Sequence, residues 1–261
     1  KMYGKKETKK FFKNAVEGSN YTKNIINHYD IDCDVTGECN FILAHHPNKF
    51  DQIKEQAKVY KNEFGIETRL YSKDEFNNIG HEGTEQFGAL SYKPGFAINP
   101  LKFVNGIAKY ALSKKLKIFE HSLVDKIDKS NGSYILRTKE GSINTKKVVL
   151  ATNGFYQEGL VPQMNSRILP VISNIIVTRK LTKKELDLHN FKTFSPIANT
   201  KNLLYYYRKL PDNRILFGTR GDFIGSDQSN LDRSKKMENF LKNIFPKWSD
   251  VSIEYNWRGL I

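Results

Sequence analysis

Tyr206 and Arg208 are the most explicit candidates for ligand chemistry in the sequence. Residues 203–208 have the apolar and aromatic composition of a β-strand, and side chains two residues apart on a strand share one face. A phenol hydroxyl and a guanidinium on one face can hold a carboxylate, the guanidinium through two parallel hydrogen bonds. The pair predicts a carboxylate site. The competing interpretation is ordinary sheet packing by Tyr205–Tyr207, with Arg208 as a surface charge.

A turn of small residues, Ala151-Thr152-Asn153-Gly154, follows the apolar run 148–150. Such a run favours a strand buried on both faces of a parallel sheet, and ligands of these sheets lie beyond the carboxyl ends of the strands. Small residues there let the backbone approach the ligand. The segment therefore predicts one edge of a nucleotide site, with a plain strand end as the alternative. The sequence has no G-x-G-x-x-G and no Walker-type loop, so it lacks the usual phosphate-binding half.

Histidines and cysteines form no metal-binding pattern in this sequence, so no metal is expected. His45 and His46 adjoin a predicted strand, where neighbouring side chains point to opposite faces, and His81 lacks a set of partners. The two cysteines, Cys33 and Cys39, are spaced unlike a metal motif. We expect both to be free thiols in a reducing compartment, which favours a cytoplasmic location.

Composition and charge restrict the class of protein. Hydrophobic residues make up 39% and aromatic residues 12% of the 261 residues, which predicts a folded chain with a real core. The net charge of +14 favours anionic ligands in general. The lysines are scattered, however, and no nucleic-acid-binding signature is present, so specific nucleic-acid binding is not expected. No window reaches the roughly 18 apolar residues of a membrane span.

Hydrophobic periodicity and capping signals predict a mixed series of helices and strands. Helices are expected at 5–29, 47–64, 100–114 and 230–245, with two short ones after the capping boxes Ser72/Glu75 and Thr182/Glu185. Strands are expected at 39–44, within 86–98, and at 117–120, 122–127, 133–138, 147–151, 167–179, 203–208, 214–219 and 251–261. The pattern indicates an α/β fold of mixed type.

Several segments resemble, in the same order along the chain, the FAD-dependent amine and amino-acid oxidoreductases of the D-amino-acid-oxidase superfamily. The nearest likeness is to the branch that contains gamma-glutamylputrescine oxidase, glycine oxidase and sarcosine oxidase. The segments are 31–37, 97–100, 118–124, 148–154, 169–174, 177–178, 206–208, 214–218 and 257–259. No single segment is specific, whereas the ordered set is fairly specific and covers nearly the whole chain.

The resemblance implies a fold of two interleaved domains. A partial, Rossmann-like FAD-binding domain would comprise 1–30, 99–165 and 257–261. The substrate domain would comprise 31–98 and 166–256, on a mixed, largely antiparallel sheet with helices on one face. The family's glycine-rich βαβ unit would lie before Lys1 and its C-terminal flavin-contacting loop after Ile261. The chain is therefore expected to be the central piece of a longer protein.

The resemblance also implies functional residues. The backbone of Val124 would meet the adenine, the turn 151–154 would lie beside the cofactor, and Gly259 would lie near the flavin ring. Asn153 stands where the family usually has glycine, a change that asparagine accommodates because it accepts a positive φ. The implied cofactor-binding set is Val124, Ala151, Thr152, Asn153, Gly154 and Gly259, with Tyr206 and Arg208 as the substrate-binding candidates.

The implied reaction is the oxidation of a small amine or amino acid by hydride transfer to FAD, giving an imine that hydrolyses. No catalytic acid or base is assigned, and the sequence does not identify the amine, the electron acceptor or the oligomeric state. Two alternatives stay open at this stage. One is a cofactor-free binding module that retains the substrate-domain fold, and the other is a basic nucleic-acid-binding protein.

Overall fold

A computed structural model describes residues 4–222 and 227–260. Its helices are α1 (Gly4–His28), α2 (Pro47–Phe64), α3 (Lys73–Ile79), α4 (Pro100–Ser113), α5 (Lys183–Leu188) and α6 (Asp227–Ile244). Its strands are β1 (Asn40–Leu43), β2 (Thr68–Tyr71), β3 (Ala89–Tyr92), β4 (Lys126–Ser130), β5 (Ser133–Arg137), β6 (Ser142–Thr145), β7 (Ile172–Thr178), β8 (Ile197–Asn199), β9 (Tyr205–Lys209), β10 (Ile215–Asp222) and β11 (Ile253–Leu260).

An eight-stranded sheet organises this part of the chain, in the spatial order β11-β7-β10-β9-β8-β1-β3-β2. Every neighbouring pair in it is antiparallel except β1 and β8, which run parallel. The expectation of a mixed, largely antiparallel sheet is confirmed. A second sheet, β4-β5-β6, is a small antiparallel meander.

The predicted helices begin and end on the signals read from the sequence. Asn99 caps α4 by accepting a hydrogen bond from the Lys102 backbone N–H, and Pro100 occupies the first turn. Gly65 ends α2 with a φ of 64°, the left-handed conformation that glycine adopts without cost. Both predicted capping boxes are formed at the starts of α3 and α5.

The two faces of the large sheet are covered unequally. One face packs against α3, α5 and α6, in a core whose largest fully buried side chains include Phe217, Phe245 and Trp248. On the other face α2 covers only the β1–β3 end, through Ile53 and Ala57. The part of this second face formed by β9, β10, β7 and β11 is left accessible, and we call it the open face.

The prediction of a buried strand at 147–151 is wrong. These residues form no strand, and Val149 is 88% exposed. The described part of the chain places no strand beside them, so their backbone groups have no ladder partner and the apolar side chains no covering layer. The strand predicted at 117–120 is likewise absent, and of the one predicted at 122–127 only the last two residues belong to β4.

At the carboxyl end of the described chain, β11 pairs with β7 as far as Leu260. Residues 257–260 therefore continue the large sheet, and the division into two interleaved domains stays a prediction. Within the described ranges, no helix combines the length and the apolar composition needed to cross a membrane.

His81 is fully buried on the helix-covered side of the sheet. Its Nε2 lies 2.8 Å from the Tyr207 hydroxyl, and its ring stacks on Phe191. Burial, with a smaller contribution from the charge of His189, lowers the pKa of His81 to about 3. An unfolded chain protonates histidine near its ordinary pKa of about 6.5. The stability contributed by neutral His81 is therefore present above about pH 6.5 and is lost as the pH falls toward 3.

Substituting His81→Gln removes this titration, so we expect its stability to fall less on acidification than that of the wild type. Urea midpoints at about pH 7.5 and about pH 5 measure the difference. His121→Gln, which removes an exposed imidazole, is the matched control. Equal losses in the wild type and His81→Gln would show that this histidine does not drive acid sensitivity.

Candidate functional site

A row of side chains crosses the open face from β9 to β11. Tyr206 is paired with Gly218, Gly218 with Ile175, and Ile175 with Trp257, so these four positions face the same side of the sheet. A cavity of about 820 Å³ lies over this row. Its opposite wall is formed by residues 96–101, the chain that leads into α4. The cavity therefore lies between the large sheet and the start of α4.

The Tyr206 side chain leaves the sheet on this face and then lies flat along it. Its ring passes over Gly218 on β10, and its hydroxyl lies 2.6 Å from the Ser173 Oγ on β7. Either oxygen can be the donor in this hydrogen bond. Whichever way the bond is donated, the Tyr206 oxygen retains capacity for a second partner. Tyr206 therefore presents both an aromatic surface and a hydroxyl to the cavity.

Arg208 shares the face of Tyr206, as the sequence predicted, and also lines the cavity. Its Nη2 donates a hydrogen bond of 2.7 Å to the Ile98 carbonyl in the opposite wall. Burial lowers the pKa of the guanidinium, against the opposing charge of Asp34, but arginine stays protonated in proteins. Among the described lining residues it carries the only formal charge. The cavity is therefore apolar, with one cationic group that favours an anionic ligand.

A polar network fixes the wall of the cavity beside Arg208. Asn99 donates to Asp34 at 3.2 Å, and Lys102 forms an ion pair of 2.6 Å with the same carboxylate. The hydrogen bonds from Lys102 and Asn99 lower the pKa of Asp34 despite partial burial. Since Asp34 makes its short ion pair with Lys102, it only partly offsets the charge of Arg208.

The predicted cofactor residues fall into two groups. Gly259 stands opposite Ser173 in the β11–β7 pairing, beside the Tyr206–Ser173 hydrogen bond, and a Cβ there would meet nothing within 4 Å. Val124 and the turn 151–154 lie outside the large sheet, and none of the predicted cofactor residues, Gly259 included, is among the described residues that line the cavity. Their roles stay predictions.

The turn 151–154 has the local conformation that its sequence implies. Asn153 has a φ of 51°, in the left-handed region, as its place in the family's glycine position predicted. Phe155 N–H donates to the Thr152 carbonyl at 3.0 Å, which closes the turn. Ala151, Thr152 and Asn153 are exposed and Gly154 is half-buried. The turn is therefore accessible to a ligand from the surface.

The other histidines and the cysteines considered in the sequence analysis have structural surroundings. His45 Nδ1 lies 2.7 Å from the Thr200 hydroxyl, while His46 caps α2. Cys33 and Cys39 are both free thiols, as predicted. In the two described ranges, no three His, Cys, Asp or Glu side chains are grouped so as to hold a metal ion.

Sequence reasoning missed part of the site. Ser173 and Gly218 lie in predicted strands and in segments that carry the resemblance, but no sequence signal marks them as site residues, although both contact Tyr206. The sequence predicts a strand, a turn and a helix start for residues 96–101, and it does not link this wall to Tyr206 or Arg208. Period-two alternation could have put Ser173 and Ile175 on one face, but only the strand order brings β7 within reach of Tyr206.

The fold of the described chain is shared with solved structures. Glycine oxidase from Geobacillus kaustophilus superposes with a TM-score of 0.72 at 15% identity, over 92% of this chain and 63% of its own. L-proline dehydrogenase from P. horikoshii gives a TM-score of 0.74 at 18% identity, over 93% of this chain and 65% of its own. At these identities the likeness shows the fold alone.

The sequence comparisons identify the family to which the chain belongs. The profile described as FAD dependent oxidoreductase matches residues 2–261, and the chain therefore belongs to this family of FAD-dependent oxidoreductases.

Two curated relatives match almost the whole chain. The probable oxidoreductase OrdL of Haemophilus influenzae is 28% identical over 267 residues, covering 100% of this chain. Gamma-glutamylputrescine oxidoreductase of Escherichia coli is 26% identical over 261 residues, covering 99%. The chain spans 59% of the length of each of these relatives.

The residues of the open face fit one end of an FAD molecule. Trp257, Ile175 and Leu216 give the cavity an apolar lining, and the open space over Gly259 leaves room for a planar ring. The sequence holds no glycine-rich loop for the pyrophosphate. The residues present are therefore compatible with a planar ring such as the flavin, and a site for the pyrophosphate is not identified among them.

Proposed function

We propose that the chain serves the FAD-dependent oxidation of a small amine or amino acid. The observation that carries the proposal is the open-face cavity, an apolar chamber in which Arg208 is the only formal charge among the described lining residues. A carboxylate is the natural partner of a partly buried guanidinium such as that of Arg208, and an apolar chamber suits the uncharged remainder of the ligand. The family assignment supplies the redox cofactor.

In this proposal Arg208, Tyr206 and the apolar walls of the cavity each act on the ligand. Arg208 binds a ligand carboxylate through the guanidinium N–H groups that its single bond to the Ile98 carbonyl leaves available, the second N–H of Nη2 among them. The Tyr206 hydroxyl, held by Ser173, provides a second hydrogen bond. The apolar walls orient the ligand and exclude water, which strengthens both contacts. When bound, FAD supplies the acceptor for a hydride from the carbon beside the amine nitrogen.

The residues proposed to contact FAD are of two kinds. Gly259 and Trp257 would meet the flavin ring at the edge of the open face. Val124, Ala151, Thr152, Asn153 and Gly154 would meet the rest of the cofactor, in the domain division expected from the sequence. The two free thiols favour a cytoplasmic location.

The alternative is a cofactor-free binding module. It is favoured by one observation, the absence of any glycine-rich loop in the sequence, which would leave the pyrophosphate without its usual cradle. The cavity would then bind a carboxylate ligand without redox chemistry. A basic nucleic-acid-binding protein draws support from the net charge of +14 alone.

An absorption spectrum separates these functions. Purified protein that keeps bands near roughly 370 and 450 nm after dialysis, or gains them on addition of FAD, holds a flavin. A colourless protein that takes up no FAD but binds a carboxylate ligand would instead be a binding module. Steeply salt-dependent DNA binding with a base preference would favour the third function, whereas weak uniform binding would reflect net charge only.

A further inference from the structure

Gly218 is a glycine that the backbone does not require. It lies in the middle of β10, it is buried, and its φ is outside the left-handed region where glycine is needed. A glycine inside a strand weakens it and often marks a place where another group approaches closely. The group that approaches position 218 explains why this residue is a glycine.

That group is the Tyr206 ring. A Cβ at position 218 would overlap the Cζ, Cε2 and hydroxyl oxygen of Tyr206, so no larger residue is compatible with the ring as it lies. The hydroxyl beyond is held by Ser173, two strands away from β9. Gly218 below and Ser173 at the far end thus keep the phenol flat on the sheet.

We propose that Gly218 and Ser173 are positioning residues which hold Tyr206 as the floor of the cavity and so determine the ligand sizes that the cavity accepts. A flat phenol leaves the space above β10 to the ligand. A phenol pushed up by a side chain at 218 would occupy that space. The inference rests on the proposed function, because it takes an amino acid as the ligand of this cavity.

The first part of the test measures the coupling between Gly218 and Tyr206 without any ligand. Gly218→Ala is expected to lower the melting temperature by roughly 3–9 °C, because the new methyl group must displace the ring. In a Tyr206→Ala background the same substitution should have little effect, since the ring is gone. Gly141→Ala, at an exposed turn glycine with open space around it, is the matched control. Equal losses in both backgrounds would overturn the proposal.

The second part measures size selection with glycine and L-phenylalanine as probes, with and without added FAD. Trp257 lines the cavity, whereas Trp248 is buried in the core, so ligand-induced changes in tryptophan fluorescence should report on Trp257. Trp257→Phe confirms the source of the signal. Gly218→Ala is expected to shift the affinity ratio toward glycine by roughly tenfold, and Tyr206→Ala toward L-phenylalanine. Ser173→Ala should move the ratio in the direction of Gly218→Ala by a smaller factor.

The outcomes separate this inference from the function on which it rests. A wild type that binds both probes, with the same ratio in Gly218→Ala, overturns the positioning role and leaves the proposed function standing. A wild type that binds neither probe under either condition overturns the proposed function and size selection together. If Gly218 has a purely structural role, Gly218→Ala lowers the melting temperature without changing the affinity ratio. That result in the second part of the test overturns the proposal.

Discussion

Arg208→Ala is expected to weaken the binding of a carboxylate ligand by roughly 30- to 150-fold, which corresponds to about 2–3 kcal/mol. The guanidinium is the only formal charge among the described lining residues of an apolar cavity, so no neighbouring group there can replace it. Titration of L-phenylalanine, followed through Trp257 fluorescence, measures the loss. Arg208→Lys should recover only part of the affinity, because an ammonium group cannot make the bidentate contact.

The charge contribution can be isolated by changing the ligand. L-phenylalaninamide lacks the carboxylate, so the wild type should prefer L-phenylalanine to the amide, whereas Arg208→Ala should bind both alike. Arg214→Met is the control, since Arg214 pairs with Asp212 and Glu254 outside the cavity lining. If Arg208→Ala keeps the wild-type preference and only loses stability, Arg208 is a structural tie from β9 to the Ile98 carbonyl.

Local signals predicted the helices and most strands of the large sheet correctly. Asn99 with Pro100, Gly65 and the two capping boxes each act within a few residues, so their effect can be read without knowledge of the fold. The placement of Tyr206 and Arg208 on one face follows from the period of a strand and was also correct. These features depend on sequence neighbours alone.

Features that depend on distant neighbours were not predictable. A strand at 147–151 needs a ladder partner, and none lies beside it in the described part of the chain. The short strand β2 was missed because its side chains are all at least partly exposed and show no apolar alternation. The need for glycine at position 218 becomes visible only when β9 lies next to β10 and the Tyr206 ring lies over Gly218. The candidate site is therefore a product of strand order, which the sequence pattern does not encode locally.

An apolar stripe on α4 is expected to account for much of the dye binding and self-association of the chain. Leu101, Val104 and Leu112 are 69%, 59% and 54% exposed, and their spacing puts them on one side of the helix. The opposite side of α4 packs through Gly106 against Ile31. Contiguous exposed apolar surface of this kind marks a packing or interaction surface. In the proposed function it is where further parts of an FAD domain would pack.

We expect the triple variant Leu101→Lys, Val104→Glu and Leu112→Lys to lower the fluorescence of bound anilinonaphthalene sulfonate by roughly half or more and to reduce self-association. The melting temperature should move by only about 1–2 °C, because exposed side chains contribute little to stability. Phe11→Lys with Tyr21→Lys, two equally exposed residues on α1, is the control for scattered apolar groups. If the control lowers the dye signal as much as the triple variant, the α4 stripe is not a distinct surface. If only the triple variant does so, the α4 stripe is a distinct interaction surface.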